Sequence, residues 1–489
     1  MDVINQASDI RNEALRNAKW ALLEAFLPRI VSPLVTILLA RFLNPEDYGI
    51  VAISGLVVTL AMSFQSQGVG DALVQMDDAT QQAKSTVFWI SLGVGAFFSL
   101  LIFFSASTIA SLFKDDRLTL AIRVQAWQLV ITALGSTHVA ILRRQFDFRK
   151  IALIRVIPSL SPCFIGLPLA YMGFGYWSLI VSIMSAELIS LIFIYMFLPW
   201  LPSMESDLVT AKRLIWFASM VTVESLTAWF LTHGDNMIIG FISDLKTLGV
   251  YSYGFKLIML FLGTLISPFT SYVVYSMYCR QANNREELVK SMNKICSNMA
   301  FLLFPVCFGI AAVSHSIIPI IFGKNWSGLA SVVAILSISP GMTMILGPIN
   351  DALKALGRPD ILAKFYVLTV IIAVPVLCVT AKYGLIAFCF GRFSIPLILF
   401  FPKLFVAAHF LGVKTYDLIK PLLPFFVIAA GMAIFVRVGL AVGGGSLHSA
   451  MAASAGITFG IIFYGLGVHI YDKRVIRQFM STSLNVFFK

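Results

Sequence analysis

Residues 22–43, LLEAFLPRIVSPLVTILLARFL, decide how the chain is read. The stretch has the length and apolar content of a membrane-crossing helix, which needs about 20 such residues. Yet it holds Glu24, Arg29 and two prolines, Pro28 and Pro33. Charges and helix breakers are tolerated at membrane depth only where they face protein or water rather than lipid. The stretch therefore predicts a helix that lines something.

The rest of the chain agrees. Of 489 residues, 58% are hydrophobic and 12% charged, with mean hydropathy +0.88, more apolar surface than a soluble globule of this length can hide. About fourteen spans are expected, near 17–43, 47–66, 85–112, 117–142, 151–172, 176–198, 213–242, 247–275, 291–313, 328–353, 361–380, 384–410, 418–441 and 447–471. Their lengths fit helices and not the short strands of a barrel, so the fold class is an all-α polytopic membrane protein. The first 16 residues are polar, so no cleavable signal is expected and the first helix directs its own insertion. With the N-terminus inside, most of the 36 Lys and Arg fall on the cytoplasmic side, as do both termini. Topology and anionic lipid headgroups thus account for the net charge of +12, and nucleic acid is not implied.

No chemistry of bond-making is visible. The six cysteines, Cys163, Cys279, Cys296, Cys307, Cys378 and Cys389, lack disulfide or metal spacing. The histidines form no HExxH pair, no phosphate-binding or nucleophile motif occurs, and no long acidic loop separates the spans. The expectation is a protein that is not an enzyme and carries no cofactor or metal.

The chain also repeats itself. SLFKDDRLTLAIRVQAW and RRQFDFRKIALIR align without a gap on IIFGKNWSGLASVVAIL and ALKALGRPDILAK, so that Phe113 meets Phe322 and Arg149 meets Arg358, 209 residues on. RFLNPEDYGIV (41–51) resembles GFISDLKTLGV (240–250). Duplication with both halves in the same sense predicts two pseudo-symmetric six-helix lobes around a central cavity, plus two accessory helices. The boundaries expected are 1–198 for the first lobe, 199–212 for a polar cytoplasmic linker, 213–410 for the second lobe, and 411–489 for the accessory helices 13 and 14 with a cytoplasmic tail.

Seven basic residues stand out within spans. Arg123, Arg155, Lys364 and Arg437 sit near span ends and are expected to snorkel to the headgroups. Arg29, Lys256 and Arg392 are deep, where a cation costs roughly 2.5–3.5 kcal/mol, so they face either an aqueous cavity or a carboxylate. The available carboxylates are Glu24, Glu187, Glu224, Asp235 and Asp351. Glu224 and Asp235, eleven residues apart, share one helix face about 16 Å long. Glu24, Glu224 and Asp235 either neutralise the cavity cations or bind a coupling H⁺ or Na⁺. Pro28 bends the first span beside Arg29, and Pro268, Pro305, Pro340, Pro348, Pro375 and Pro396 are expected to interrupt spans of the second half.

AKWALLEAF, LLARFLNPEDYGIVAI, HGDNMIIGFISDLKTLGVYSYGFKL and FGKNWSGL resemble, in order and spacing, the polysaccharide-transport branch of the multidrug/oligosaccharidyl-lipid/polysaccharide flippase superfamily. The resemblance implies a bacterial inner-membrane flippase that carries undecaprenyl-diphosphate-linked oligosaccharide outward by alternating access, for O-antigen, capsule or exopolysaccharide assembly. It implies membrane lipids and polysaccharide polymerase machinery as partners. PRIVSPLVTILLARF is also similar to the first helix of peptidoglycan-precursor flippases, whose cavity cations fall at Arg29 and Lys256; a third falls at Val35, a departure that argues against the peptidoglycan precursor itself. On this resemblance Arg29 and Lys256 hold the diphosphate, Arg392 is a further candidate, and Trp20, Trp216, Trp229, Tyr251 and Tyr253 are candidates to stack on sugars. A MATE-like cation-coupled multidrug exporter is the alternative, kept open by Glu224 and Asp235.

Overall fold

The computed structural model describes residues 27–28, 31–65, 73, 80–145, 147–204, 208–266, 272–442 and 450–471. Every regular element among them is helical. Twelve helices are long and apolar enough to cross a membrane. The first and seventh expected spans coincide with the shorter helix Val31–Phe42 and with the 35-residue helix Leu208–Ile242. Large apolar side chains such as Phe104, Phe164, Ile192, Phe405 and Ile461 point outward from the middle of their helices, which suits lipid and not water. The chain is a multi-pass membrane protein. It divides into two compact units, Met1–Gly249 and Val250–Lys489.

In the first unit the turn NPEDYG is where several helix ends are fastened. Asn44 N–H donates to Asp47 Oδ2 at 2.9 Å and opens helix Pro45–Gln65, with proline at the position whose own N–H needs no partner. The other oxygen of Asp47 accepts from Tyr176 N–H at 2.9 Å, at the start of helix Tyr176–Phe197. Glu46 reaches Arg117 at 3.4 Å, and Arg117 pairs with Asp115 at 2.7 Å, tying in the turn between helices Gln81–Leu112 and Arg117–Arg144. The similar segment at 240–250 uses the complementary half of a capping box: Asp244 Oδ1 accepts from Thr247 N–H at 3.0 Å and caps helix Leu245–Ile266.

These two turns press against each other. A Cβ on Gly249 would strike the Pro45 carbonyl, 2.6 Å from its carbon, and one on Gly49 would strike the Leu245 carbonyl, 2.9 Å from its carbon. The contact is reciprocal: each helix start offers a glycine to the first-turn carbonyl of the other. Only glycine permits backbone to approach backbone this closely.

Beyond the turn, helix 117–144 packs on 81–112, 45–65 and 176–197, and helix 208–242 packs on 45–65 and 81–112. The expected linker is shorter than 199–212, because helix 208–242 begins at Leu208. Its described start is not a free connection. Trp89 Nε1 donates to Ser203 O at 2.9 Å, Ser203 N–H donates to Ser85 Oγ at 2.9 Å, and His138 Nε2 meets Trp200 O at 3.0 Å.

In the second unit helix Arg285–Phe322 is the longest described element, and helices Leu423–Val442 and Ala450–Tyr471 pack against it and each other. At the repeat's 209-residue spacing the helix starting at Tyr176 meets the one starting at Leu385. Prolines act less uniformly than expected. Pro305, Pro375 and Pro396 lie inside continuous helices, whereas the span expected at 328–353 is three short helices, Leu329–Leu336, Ile338–Ile345 and Gly347–Ala355, with Pro340 and Pro348 in the second and third. The span expected at 247–275 ends earlier, its helix closing at Ile266 and a separate one, Tyr272–Gln281, following. Pro268 lies outside the described residues. In the first unit Pro158 and Pro162 divide the span at 149–171 around a π-helical turn, Pro162–Gly166.

Candidate functional site

Lys256 lies at the middle of helix Leu245–Ile266, about 16 Å from either end. One side of that helix, Leu257, Ile258, Leu262 and Ile266, is buried, while Lys256 and Gly263 are exposed and Ser252 is half-buried on another. Lys256 makes no hydrogen bond or ion pair among the described residues. Arg392 is half-buried on helix Leu385–Leu411 with its guanidinium 5.7 Å from the Phe255 ring, next in sequence to Lys256. One turn earlier on each helix, Tyr251 meets Phe388 edge-on at 5.1 Å. Stepping together from 251 and 388 to 255 and 392, the two helices touch over one turn, which sets Arg392 against the residue that precedes Lys256.

A third cation was not foreseen. Lys403 follows Arg392 by eleven residues, three turns along the same face, and is half-buried about 12 Å inside its helix end. It has no partner among the described residues. The spacing from Arg392 is the signal that would have found it.

What these cations lack decides how they are read. From residue 250 to 489 the only carboxylates are Glu286, Glu287, Asp351, Asp360, Asp417 and Asp472. Those described lie at or near helix starts or in the short helix 347–355, at one end of the unit; Asp360 engages Arg358 and Lys364, and Asp351 engages Lys354. None lies within the long apolar stretches carrying Lys256, Arg392 and Lys403, so the second unit holds no internal acid to neutralise them. Lys256 and Lys403, cations in so apolar a setting without a carboxylate partner among the described residues, are stable only if water or a mobile anion reaches them.

The remaining sequence candidates are distributed differently. Glu24, Arg29 and Trp20 lie outside the described residues, as do the side chains of Glu224 and Trp216. Asp235 is buried at 5% exposure in the first unit, its Oδ1 accepting from Asn236 N–H at 2.7 Å. Trp229, Tyr251 and Tyr253 are not sugar platforms. Trp229 is buried with its indole N–H on Thr59 Oγ1 at 3.1 Å, Tyr251 is packed on Phe388, and Tyr253 sits 4.5 Å from Trp326. Their polar tips serve packing, and no face is left for a ligand.

Of the four cations expected to snorkel, Lys364 does so at 81% exposure. Arg123 lies over the Phe103 ring at 5.2 Å, and Arg437 lines a cavity. Glu187, named from sequence only as a possible cation partner, has another setting. It lies midway along helix Tyr176–Phe197, accepts from Gln128 Nε2 at 3.0 Å, and faces a cavity of about 240 Å³ with Thr132, Ser136, Ser190 and Arg143.

A profile described as "Polysaccharide biosynthesis protein" matches residues 38–331, more than half of the chain. The chain belongs to this family. Among curated proteins it is similar to the teichuronic acid biosynthesis protein TuaB of Bacillus subtilis, 22% identical over 93% of this chain and 95% of that one. It is also similar to the lipopolysaccharide biosynthesis protein WzxC of Escherichia coli, 20% identical over 76% and 75%, and to the succinoglycan biosynthesis transport protein ExoT of Rhizobium meliloti, 23% identical over 71% and 70%. Its fold is that of the lipid II flippase MurJ, inward closed, with TM-score 0.69 at 14% identity over 94% of this chain and all of that one. An inward-facing multidrug resistance MATE transporter of the MOP superfamily gives TM-score 0.55 at 14% identity over 81% and 99%. At such identities the likeness establishes a shared fold and no more, so this is a member of the polysaccharide biosynthesis protein family with the fold those two transporters share.

Proposed function

We propose that the chain is a flippase for undecaprenyl-diphosphate-linked oligosaccharide in the bacterial inner membrane, with both termini cytoplasmic. The observation that carries this reading is the set of deep cations in a second unit without internal carboxylates: Lys256 exposed at mid-helix, Arg392 beside it, Lys403 further along. A diphosphate cannot cross hydrocarbon unaided, and ammonium and guanidinium groups bind it as charge-assisted donors, Arg in a fork and Lys as a point charge. The polyprenyl tail has no need to leave the lipid. Arg29 would join these cations from the first span.

The relatives' names support the substrate class, since three concern surface or secreted polysaccharides and one is called a transport protein. A transporter moves its cargo without making or breaking bonds, so the reading is non-enzymatic. Rocking of the two repeated six-span lobes, with the expected boundaries 1–198 and 213–410, would expose the cations to each side in turn. Transfer to polysaccharide polymerase machinery, and coupling to H⁺ or Na⁺ through Glu24, Glu224 or Asp235, belong to the same proposal. An exporter of organic cations would want an acidic pocket, and the second unit offers the reverse.

The test is surface glycan display in a strain lacking the chromosomal copy. Lys256→Ala and Arg29→Ala each abolish display while membrane protein levels stay intact, and Lys364→Ala, at an exposed helix end, leaves it unchanged. Normal display from both deep variants would end the assignment.

A further inference from the structure

The second unit has another cationic place, on the opposite side of helix 385–411 from Arg392. Ile386, Phe390 and Phe393 form a stripe at helical spacing and line a cavity of about 360 Å³ together with His315, Ser331 and Arg437. The imidazole of His315 stands between two hydroxyls, Ser314 Oγ 3.4 Å from Nδ1 and Ser331 Oγ 3.4 Å from Nε2. Arg437 is exposed and makes no hydrogen bond or ion pair among the described residues. The cavity thus holds one fixed positive charge, one imidazole, one hydroxyl, and two phenyl rings, of which Phe390 is 55% exposed.

Its position sharpens the chemistry. His315 lies in the last two turns of helix 285–322, Ser331 in the first turn of 329–336, the phenyl rings in the first turns of 385–411, and Arg437 five residues before Val442. All mark the same end of the unit, and the carboxylates of the unit mark the other. The connecting segments at this end, 323–328, 382–384 and 443–449, contain Lys324, Lys382 and His448 and no Asp or Glu. Arg437 is about 7.5 Å from the end of its helix, close enough for its side chain to reach the headgroup layer by snorkelling. Nothing within the unit can neutralise this end, so the anion comes from outside.

We infer that this cavity binds the phosphate of an anionic lipid headgroup, with Arg437 as the charged donor, His315 and Ser331 as hydrogen-bonding partners, and Phe390 and Phe393 against the first carbons of the chain. Two sources supply that chemistry. One is the polyprenyl diphosphate of the substrate, which rests on the flippase reading above; the other is phosphatidylglycerol, which does not.

Native mass spectrometry of the purified full chain tests this, with undecaprenyl diphosphate and phosphatidylglycerol offered separately and phosphatidylcholine as the zwitterionic blank. Arg437→Gln is expected to lose one bound anionic lipid that the wild type and Arg437→Lys retain, and His315→Gln to weaken the same adduct. Loss confined to the diphosphate identifies the substrate as the occupant, and loss confined to phosphatidylglycerol identifies the bilayer. If Arg437→Gln, folded as judged by its unfolding midpoint, retains both lipids as the wild type does, the inference is overturned. Binding is read without transport, so failure here leaves the Lys256 test standing, and failure of the Lys256 test leaves the phosphatidylglycerol arm standing.

Discussion

Gly249→Ala is a one-methyl test of the fold's tightest backbone contact. The added Cβ would sit 2.6 Å from the Pro45 carbonyl carbon and within 3.0 Å of Gly49 N, against an ordinary carbon–carbon separation of about 3.5–4.0 Å. The starts of helices 45–65 and 245–266 must therefore part by about 1 Å, and the atom that resists is backbone, which cannot rotate away. Overpacking of this kind costs about 1–3 kcal/mol, or roughly 5–150-fold in the equilibrium between the native contact and its opened form. Gly49→Ala should act alike, because its Cβ would lie 2.9 Å from the Leu245 carbonyl carbon. Gly93→Ala is the control: nothing lies within 4 Å of its Cβ, and alanine gains about 0.5–1 kcal/mol over glycine inside a helix. Thermal unfolding in detergent should show Gly249→Ala and Gly49→Ala below the wild type and Gly93→Ala at or above it. Amide exchange should quicken at 45–50 and 245–250 in the first two only. Wild-type midpoint and wild-type protection in Gly249→Ala would refute the reasoning.

Three further outcomes are expected. Lys403→Gln should reduce glycan display less severely than Lys256→Ala and without loss of protein, as measured by surface glycan against membrane protein; unchanged display would remove Lys403 from the site. Gln128→Leu takes away the one amide that Glu187 accepts from, and leaving a half-buried carboxylate unsatisfied costs about 1–3 kcal/mol, read as a lowered unfolding midpoint that Gln128→Asn partly restores. Asp115, in the turn before Arg117, is held below the usual carboxylate range chiefly by the hydrogen bonds from the Arg117 side chain. A depressed folded value stabilises above the unfolded one and loses that contribution as pH falls, so the margin of wild type over Asp115→Asn should be constant above about pH 5 and close below about pH 4; a margin that widens on acidification would contradict the pairing.

Much of the fold was legible because lipid imposes a length on every apolar run. Spans such as 176–197 and 385–411 fall within a residue of expectation at their starts, since glycine and polar turns bound them on both sides. Proline positions were legible but their effects were not. Pro305 and Pro396 are accommodated in continuous helices while 329–355 is divided, and that outcome depends on which neighbours satisfy the freed carbonyl, a tertiary matter. The depth of Lys256 could be read by counting from Leu245. Lys403 was passed over because it stands close enough to a span end to pass for a headgroup contact, although its eleven-residue spacing puts it on the face of Arg392. Trp229, Tyr251 and Tyr253 misled for the opposite reason: an aromatic ring near a span end looks the same in sequence whether it is available or enclosed, and here packing encloses all three. Arg437 looked like a snorkelling side chain, and only the convergence of five helices revealed the hollow beside it.

The one-ended placement of acids in the second unit has a consequence for departure as well as arrival. On the proposed reading, a negatively charged passenger that has reached Lys256 and Arg392 would meet no acidic side chain of the second unit that could compete for its hosts and push it off. Within that unit, letting go would depend on the hosts being pulled away from the passenger, or on water flooding in to weaken their grip. Any counter-charge that triggers unloading would have to come from the carboxylates of the first unit.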